Sequence, residues 1–556
     1  MPANTFDYIV VGAGAAGAAV AARLTESAKY TVLCLEAGTK GPDYIWSIPP
    51  AASLYMYDDP TVNWCYYSEP HQSHGNRRIY APRGKLLGGS TAMNGMVCNR
   101  GQAADYDGWA QLGCRGWSYN DVLPFFKKLE STDIGSDRYR GRTGPLKITV
   151  APKLSPFYDL FIQSAMSVGI PYNADYNGEI QDGVALAQQT VHRGRRVSTA
   201  THYLKPARHR ANLTVVSGAE ATSLIIAGKQ CVGVRYSRNG VTHEARASRE
   251  VIVSCGTANS PKLLELSGIG NPEILKQHGI EVLHELKGVG ENLRDHYSSG
   301  TKWRFNKPGI SLSAHGRGHG LLREIVRYVL FRTGFITMVF GSLRAFTRSQ
   351  PDLDRPDMLI LAAPFIVDIK PHKERRVLPV EGCYVNGHVL RTESAGSIHI
   401  RSPDPFAPPT INFRFLETEN DRRIAIAVIR RIRELMQAPP LGEFVAEELA
   451  PGSQVRSDEQ ILDFLRNTGG VTHHMVGTCK MGNDATAVVD HRLRVRGIKG
   501  LRIADASIMP TIPSGNTAIP AVMIGEKCAA MVLEDADDIA HTDRTSRRNA
   551  TVPSTV

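Results

Sequence analysis

Three short stretches of this chain hold residues whose types and spacing could do chemistry. The first is Gly12-Ala13-Gly14-Ala15-Ala16-Gly17, with Glu36 placed 19 residues after Gly17. Gly12 permits a tight turn, Gly14 lets backbone N–H groups approach a pyrophosphate, and Gly17 lets a helix pack close to a strand. Phosphates would sit on the helix N-terminus, where unpaired N–H groups and the dipole favour an anion. A carboxylate at the Glu36 spacing can accept hydrogen bonds from both hydroxyls of an adenosine ribose. That acid would repel a 2′-phosphate, which argues against NADP. The motif lies at the start of the sequence, and this position leans toward FAD over NAD. The second stretch is Arg83-Gly84-Lys85-Leu86-Leu87-Gly88-Gly89-Ser90-Thr91, whose three glycines and two hydroxyls in nine residues imply a backbone brought close to something polar. The third is Thr472-His473-His474-Met475-Val476-Gly477-Thr478, where two imidazoles precede a Gly-Thr turn.

The elements that must position these residues are legible around them. Tyr8 to Val11 reads as a strand, Ala18 to Leu24 as an Ala-rich helix, and Tyr30 to Leu35 as a second strand. Short β runs recur from Leu213 to Val253, and Glu250 to Ser254 leads into a helical segment that stops at Gly268 and Gly270, so the chain returns to its first sheet. From about 300 to 470 the character changes to Arg-rich helices and β runs such as Met358 to Leu361. Ile424, Val428, Ile432 and Leu435 share one face of an amphipathic segment, Asp421 to Met436, which reads as a packing helix. Leu501 to Asp505 followed by a long helical run through Ala530 is expected to close the nucleotide-binding sheet. The expected domain division is 5–300 for the nucleotide domain, with segments of a second domain interspersed at roughly 155–200. Residues 301–470 form mainly the second domain, 471–535 a return to the first, and 536–556 a tail without structure.

The totals limit the function classes. The chain has 556 residues, 42% hydrophobic, and 65 basic against 54 acidic residues give a net charge of +11. The plain reading is a basic cytoplasmic enzyme, and the sharper one adds peripheral attraction to the anionic inner face of a membrane. The short basic clusters, at Arg193 to Arg196 and Arg430-Arg431, do not alternate with aromatics, so no nucleic-acid partner is expected. Nine scattered cysteines without a CxxC pair read as reduced thiols, with neither a disulfide framework nor a metal site. No leader segment and no run of 18 apolar residues is read from the sequence.

Taken together, the glycine turn, the Gly84–Asp107 stretch, the Gly256–Gly270 segment and the C-terminal block make the chain resemble the glucose–methanol–choline (GMC) flavoprotein oxidoreductases over about residues 5 to 535. Gly288-Val289-Gly290-Glu291-Asn292-Leu293-Arg294-Asp295-His296 and Gly477-Thr478-Cys479-Lys480-Met481-Gly482 place it nearest the choline-dehydrogenase-like branch. Cys98 stands where that family usually has an aromatic residue or alanine, and reads as a size change only. The resemblance implies an α/β fold, with an FAD-binding Rossmann-like domain and a second α+β substrate-binding domain. It implies that Gly12, Gly14, Ala15, Ala16, Gly17, Glu36 and Ala37 hold the adenosine and phosphates, with Gly88 and Gly89 approaching the pyrophosphate. Asn94 and Gly95, followed by Met96 and Val97, would lie beside the isoalloxazine ring. Ala221 would meet the adenine through its backbone, Ala504 and Asp505 would close over the ribityl and phosphate region, and Asn516 and Thr517 would face the flavin. Relatives that attach the flavin covalently use a histidine at the Met93 position, so a dissociable FAD is expected.

For the reaction, the resemblance implies oxidation of the CH–OH group of a primary alcohol to an aldehyde. The hydride would go to flavin N5 and the hydroxyl proton to a base. Histidine titrates nearest neutral pH and suits that base. The family's catalytic histidine corresponds to His474, while His473 reads as a pocket wall. Asn516 stands where relatives carry His or Asn; its amide can donate to a developing alkoxide but cannot act as a base. Ser-Gly-Asn-Thr is also ordinary turn chemistry. The acceptor would be O2, a quinone or another electron carrier. The competing readings are choline dehydrogenase proper, which needs an aromatic cage or an acid for the quaternary ammonium, and a hydroxynitrile lyase on the same fold.

Overall fold

In a computed structural model of the chain, residues 4–368 and 376–550 are described. Strand β1 (Thr5–Val11), helix α1 (Ala15–Leu24) and strand β2 (Val32–Glu36) form the opening unit. β1 lies between β2 and Val241–Val253, parallel to both, and β2 is flanked by Leu213–Ser217, also parallel. Leu501–Ile503 adds in parallel to the end of Val241–Val253. The C-terminal block therefore does close this sheet. The first half of the same 13-residue strand pairs with Gln230–Arg238 instead, and Ala219–Ala227 completes an antiparallel meander. Tyr8 to Val11 and all of β2 are buried, as expected for a parallel sheet covered on both faces. Ala18, Ala19, Ala21 and Ala22 make α1 thin enough to lie between that sheet and the C-terminal helix α2 (Ala518–Ala550). At their crossing a Cβ on Gly525 would stand 2.5 Å from the Ala16 carbonyl oxygen.

A second sheet of seven antiparallel strands runs Val445–Ala450, Tyr297–Phe305, Gly382–Val389, Met358–Ala363, Leu343–Thr347 and Gly183–Leu186, with Gly470–Val471 also on Tyr297–Phe305. The helix Glu419–Gln437, capped by the Thr418 hydroxyl, packs on its outer face, where a Cβ on Gly387 would come 2.6 Å from Val428 Cγ1. Alternation along each strand then decides what the other face carries. Leu343, Ala345, Ile360, Cys383 and Val385 join the helix-side core. Ser298, Arg344, Leu361, Tyr384, Asn386 and His388 point the other way and line a cavity.

One expectation differs from what is observed. The tail expected without structure from residue 536 continues as helix through Ala550, because α2 is carried past the point where its apolar periodicity ends. Residues 551–556 lie outside the described residues.

Candidate active site

One cavity of about 1710 Å³ runs from the glycine turn of the first sheet to the inward face of the second. Its first half is built from backbone. Gly12 has φ +99°, and a Cβ on Gly17 would stand 1.9 Å from the Gly12 carbonyl oxygen. Gly88 (φ +89°) donates its N–H to the Ala13 carbonyl at 2.8 Å, and a Cβ on Gly89 would be 2.9 Å from Gly14 Cα. The two glycine loops thus pack backbone to backbone. Gly14 has open space in its Cβ direction, which leaves the N-terminal amides of α1 accessible from the cavity. Glu36 closes this end: Oε2 accepts from Ala13 N at 3.0 Å and Oε1 from Gly38 N at 2.9 Å. Burial pushes its carboxyl up to about 7, against those two amides. A ribose whose hydroxyls donate to this carboxylate would favour the charged form, so the residues present fit a dinucleotide.

Gly12, Gly14, Ala15, Ala16, Glu36, Ala37, Gly89, Asn94, Gly95, Met96, Val97, Ala221, Asp505, Asn516 and Thr517 all line this cavity. Gly17, Gly88 and Ala504 do not. The first two are spent on the close approaches just described. Ala504 donates to the Val253 carbonyl at 2.8 Å and accepts from Ser254 Oγ, so it belongs to the sheet end. The Asp505 carboxylate is likewise committed, to Gly256 N, Ser260 Oγ and Ser507 N. The turn at Asn94 to Met96 is clamped by buried Arg196, whose Nη1 reaches Asn94 O at 2.6 Å and Asn94 Oδ1 at 2.8 Å. Replacing Gly17 with alanine forces α1 away from the turn. The expected result is a loss of about 1–3 kcal/mol in thermal or denaturant unfolding, with reduced cofactor content on purification.

The second half of the cavity holds a chain of hydrogen bonds with one direction throughout. Arg344 Nη1 lies 3.0 Å from Asn516 Oδ1. Asn516 Nδ2 lies 2.8 Å from His474 Nε2. His474 Nδ1 lies 2.9 Å from His296 Nδ1, and His296 Nε2 lies 2.9 Å from the Leu390 carbonyl oxygen. Its two ends are unambiguous, because a guanidinium only donates and a carbonyl only accepts. His296 therefore carries its proton on Nε2 and offers Nδ1 as a lone pair. His474 carries its proton on Nδ1, and the Asn516 amide is oriented with its N–H toward His474. The neighbour at the other edge agrees. Thr472 Oγ1 donates to Asp295 Oδ1 at 3.1 Å and so presents a lone pair to His474 Nδ1 at 2.8 Å. The outcome is an unprotonated Nε2 on His474, which accepts from the Asn516 amide. The His474 backbone N–H is fixed by Asp295 Oδ1 at 2.9 Å.

Electrostatics hold that imidazole neutral. Burial, then His296, His388, His473 and Arg344, keep the His474 ring well below its usual value. Burial takes His296 down to about 4. Arg344 is 2% exposed, and among the described residues it forms no ion pair. His388 is also 2% exposed, lines the cavity, and stacks on His296 at 4.7 Å with both ring nitrogens unpartnered. One ring nitrogen from each of His296, His388 and His474 lies within 4.8 Å of the other two. The mutual bond of two of these rings and the face-on stacking of the third favour hydrogen bonding over coordination of an ion. His473 (φ +68°) lies against Tyr57 at 5.4 Å, and Arg83 holds its carbonyl at 3.0 Å.

The structure brings together His474 and Asn516, as the motifs imply, and adds three residues that the sequence did not single out for a role. His296 stood in plain view at the end of the Gly288–His296 run. Arg344 and His388 carry no local signal beyond being charged or titratable residues inside apolar β runs.

Residues 6–298 and 392–525 match the profiles of the N-terminal and C-terminal parts of GMC oxidoreductase. A protein named oxygen-dependent choline dehydrogenase from Brucella suis biovar 1 is 37% identical over 529 residues, covering 95% of each chain. One of the same name from Chromohalobacter salexigens is 39% identical over 534 residues, covering 95% of this chain and 94% of that one. Among solved structures, pyridoxine 4-oxidase from Mesorbium loti superposes with a TM-score of 0.84 at 28% identity, covering 94% of this chain and 98% of that one. A formate oxidase superposes with 0.89 at 27%, covering 96% and 99%. The chain belongs to the GMC oxidoreductase family, FAD-dependent enzymes that oxidise CH–OH donors.

Proposed function

We propose that this protein oxidises a primary alcohol to an aldehyde, with His474 as general base. The observation that carries the reading is the unprotonated Nε2 of His474, held neutral and aimed at the Asn516 amide by the one-way chain from Arg344 to Leu390. An alcohol oxygen that displaces the Asn516–His474 hydrogen bond and takes its place between the two groups gives up its proton to Nε2 while accepting from the Asn516 amide. Arg344, one link further, favours the alkoxide and disfavours a second positive charge on His474. Bound FAD supplies the hydride acceptor. The N-terminus of α2 opens on the cavity at Thr517 and Ala518 and presents a partial positive charge there. Met93 lines the cavity and offers no nucleophilic nitrogen, which supports a non-covalent cofactor. Acid precipitation should leave the flavin in the supernatant.

A second reading, choline as the alcohol, is favoured by the relatives' names and by an aromatic wall. Phe340 stands 6.2 Å from Phe365 and 5.8 Å from Tyr384, and all three line the cavity. The buried, unpaired Arg344 opposes it, because a quaternary ammonium would share a low-dielectric site with a like charge. We therefore rank an uncharged aliphatic or aromatic alcohol first.

Anaerobic flavin bleaching with a panel of alcohols that includes choline tests both readings. Admitting air then tells O2 from a quinone or carrier as acceptor. No bleaching by any alcohol would sink the oxidoreductase reading and leave the lyase. A companion experiment is Arg344→Met. The bleaching rate falls as pH drops through the value at which His474 protonates, which in the parent lies below 6.5. Removing the guanidinium raises that value, so the acid limb should move to higher pH. A limb that stays in place would mean that Arg344 does not act on the base.

A further inference from the structure

The helix Gly318–Phe331 is inverted relative to an ordinary surface helix. Its buried side is polar. Glu324, 1% exposed, accepts from Phe335 N at 2.8 Å and pairs with His315 Nδ1 at 3.0 Å, while Tyr328 donates to the Gly194 carbonyl at 3.0 Å. Its outward side is apolar. Leu322, Ile325, Val326, Val329 and Leu330 follow the spacing of a single helical stripe and, with Phe331, are 44–70% exposed. A monomer in water gains nothing by presenting six large hydrophobic side chains on one helix. Across the cavity mouth stand three more, Ile45, Trp46 and Tyr55, all exposed, with the Trp46 and Tyr55 rings 5.4 Å apart. The turns Pro50–Ala52 and Phe335–Thr337 pack together and join the two rims. Both rims line the same cavity.

The exposed charges of this helix have one sign, while the opposite rim is bordered by Asp43, which pairs with Lys205, and Asp58. Arg317, Arg323 and Arg327 are exposed along the helix, and Arg332 stacks on Tyr328 at 4.9 Å at its end. The turn at Arg193 to Arg195, one of the two basic clusters evident in the sequence, abuts that end: a Cβ on Gly194 would be 2.1 Å from the Arg332 carbonyl oxygen. The helix's one acid is the buried Glu324. An apolar stripe bordered by arginines, with a Trp-Tyr pair opposite, matches the headgroup boundary of an anionic bilayer, where apolar side chains enter the acyl region and guanidinium groups meet lipid phosphates. No helix among the described residues is long and apolar enough to cross a membrane, so the contact is interfacial.

We infer that this protein docks on an anionic lipid surface through the Gly318–Phe331 helix and the Ile45–Tyr55 rim, with the cavity mouth opening onto the membrane. The inference stands apart from the alcohol chemistry; it concerns what the mouth faces. It predicts that the entering alcohol, or the acceptor, is lipid-soluble.

The test is sedimentation of the holoprotein with phosphatidylcholine vesicles, with and without phosphatidylglycerol. Binding is expected with the anionic vesicles, weakened by salt. The triple substitution Leu322→Glu, Val326→Glu, Leu330→Glu touches only exposed positions and should weaken partitioning about tenfold or more, with an unchanged flavin spectrum. If the triple variant folds poorly, Arg323→Gln with Arg327→Gln should remove most of the salt-dependent part. Absence of vesicle binding by the parent overturns the inference. So does a parent dimer, seen by light scattering, that the triple variant converts to monomer, since a second copy would then cover the face.

Discussion

Replacing His474 with alanine leaves a yellow protein that alcohols bleach about a thousandfold more slowly than the parent, within the range typical for loss of a general base. FAD should be retained because the residues proposed to hold the adenosine end, Gly12, Gly14, Glu36 and the Gly84–Thr91 loop, are not among the hydrogen-bond partners of His474. The local backbone should also hold, because Asp295 accepts from the residue 474 backbone N–H and not from the ring. His474→Gln separates two explanations. Its amide can fill the space and bond Asn516 but cannot take up a proton near neutral pH, so it should be nearly as slow as alanine. Stopped-flow reduction under anaerobic conditions measures both. An alanine variant reduced at the parent rate would mean that the proton goes elsewhere, and the directed chain would then be structural only.

The second large effect is expected at Asn516. Alanine there removes a donor aimed at the alkoxide and cuts the chain between Arg344 and His474. The reduction rate should fall about a hundredfold, the size typical for one lost oxyanion donor. The loss is smaller than at His474 because the base survives. The acid limb of the pH profile should still be present, since His474 remains the titrating group. It should stay below pH 6.5, because the burial and the Arg344 guanidinium that depress it are both retained. An unchanged rate would return Asn516 to the role of an ordinary turn residue. Loss of bound flavin with no change in rate per flavin would give it a cofactor-holding role instead.

The two halves of the cavity were legible to different degrees. The nucleotide end is a local object. Gly12, Gly14, Gly17 and Glu36 fall within one strand–helix–strand unit, and each glycine meets a requirement of the backbone that a short window of residues can reveal. Three named positions, Gly17, Gly88 and Ala504, turn out to support the wall and not to form it, since spacing identifies where the chain must come close but not which atom then faces the ligand. The second sheet and its helix were readable as β runs and one amphipathic segment. The pairing of Gly183–Leu186 with Leu343–Thr347 was not, because antiparallel register between distant segments depends on packing on both faces.

The reacting end is non-local. Asn516 lies 42 residues from His474, Arg344 lies 172 from Asn516, and His296 lies 178 from His474. The resemblance to the GMC family points to His474 and Asn516, and with them to the class of reaction; residue type alone would not single out one imidazole among eighteen. Which nitrogen of His474 is unprotonated is decided only by folding. Strand alternation brings the Arg344 guanidinium to one end of the chain, and the bend just past Gly382–Val389 brings the Leu390 carbonyl to the other; they set every proton between them by being able only to donate or only to accept. The same holds for the apolar stripe of Gly318–Phe331. Its periodicity is written in the residues, but periodicity is silent about which side faces water, and only the placement of Glu324 and Tyr328 against the body of the protein turned the hydrophobic side outward.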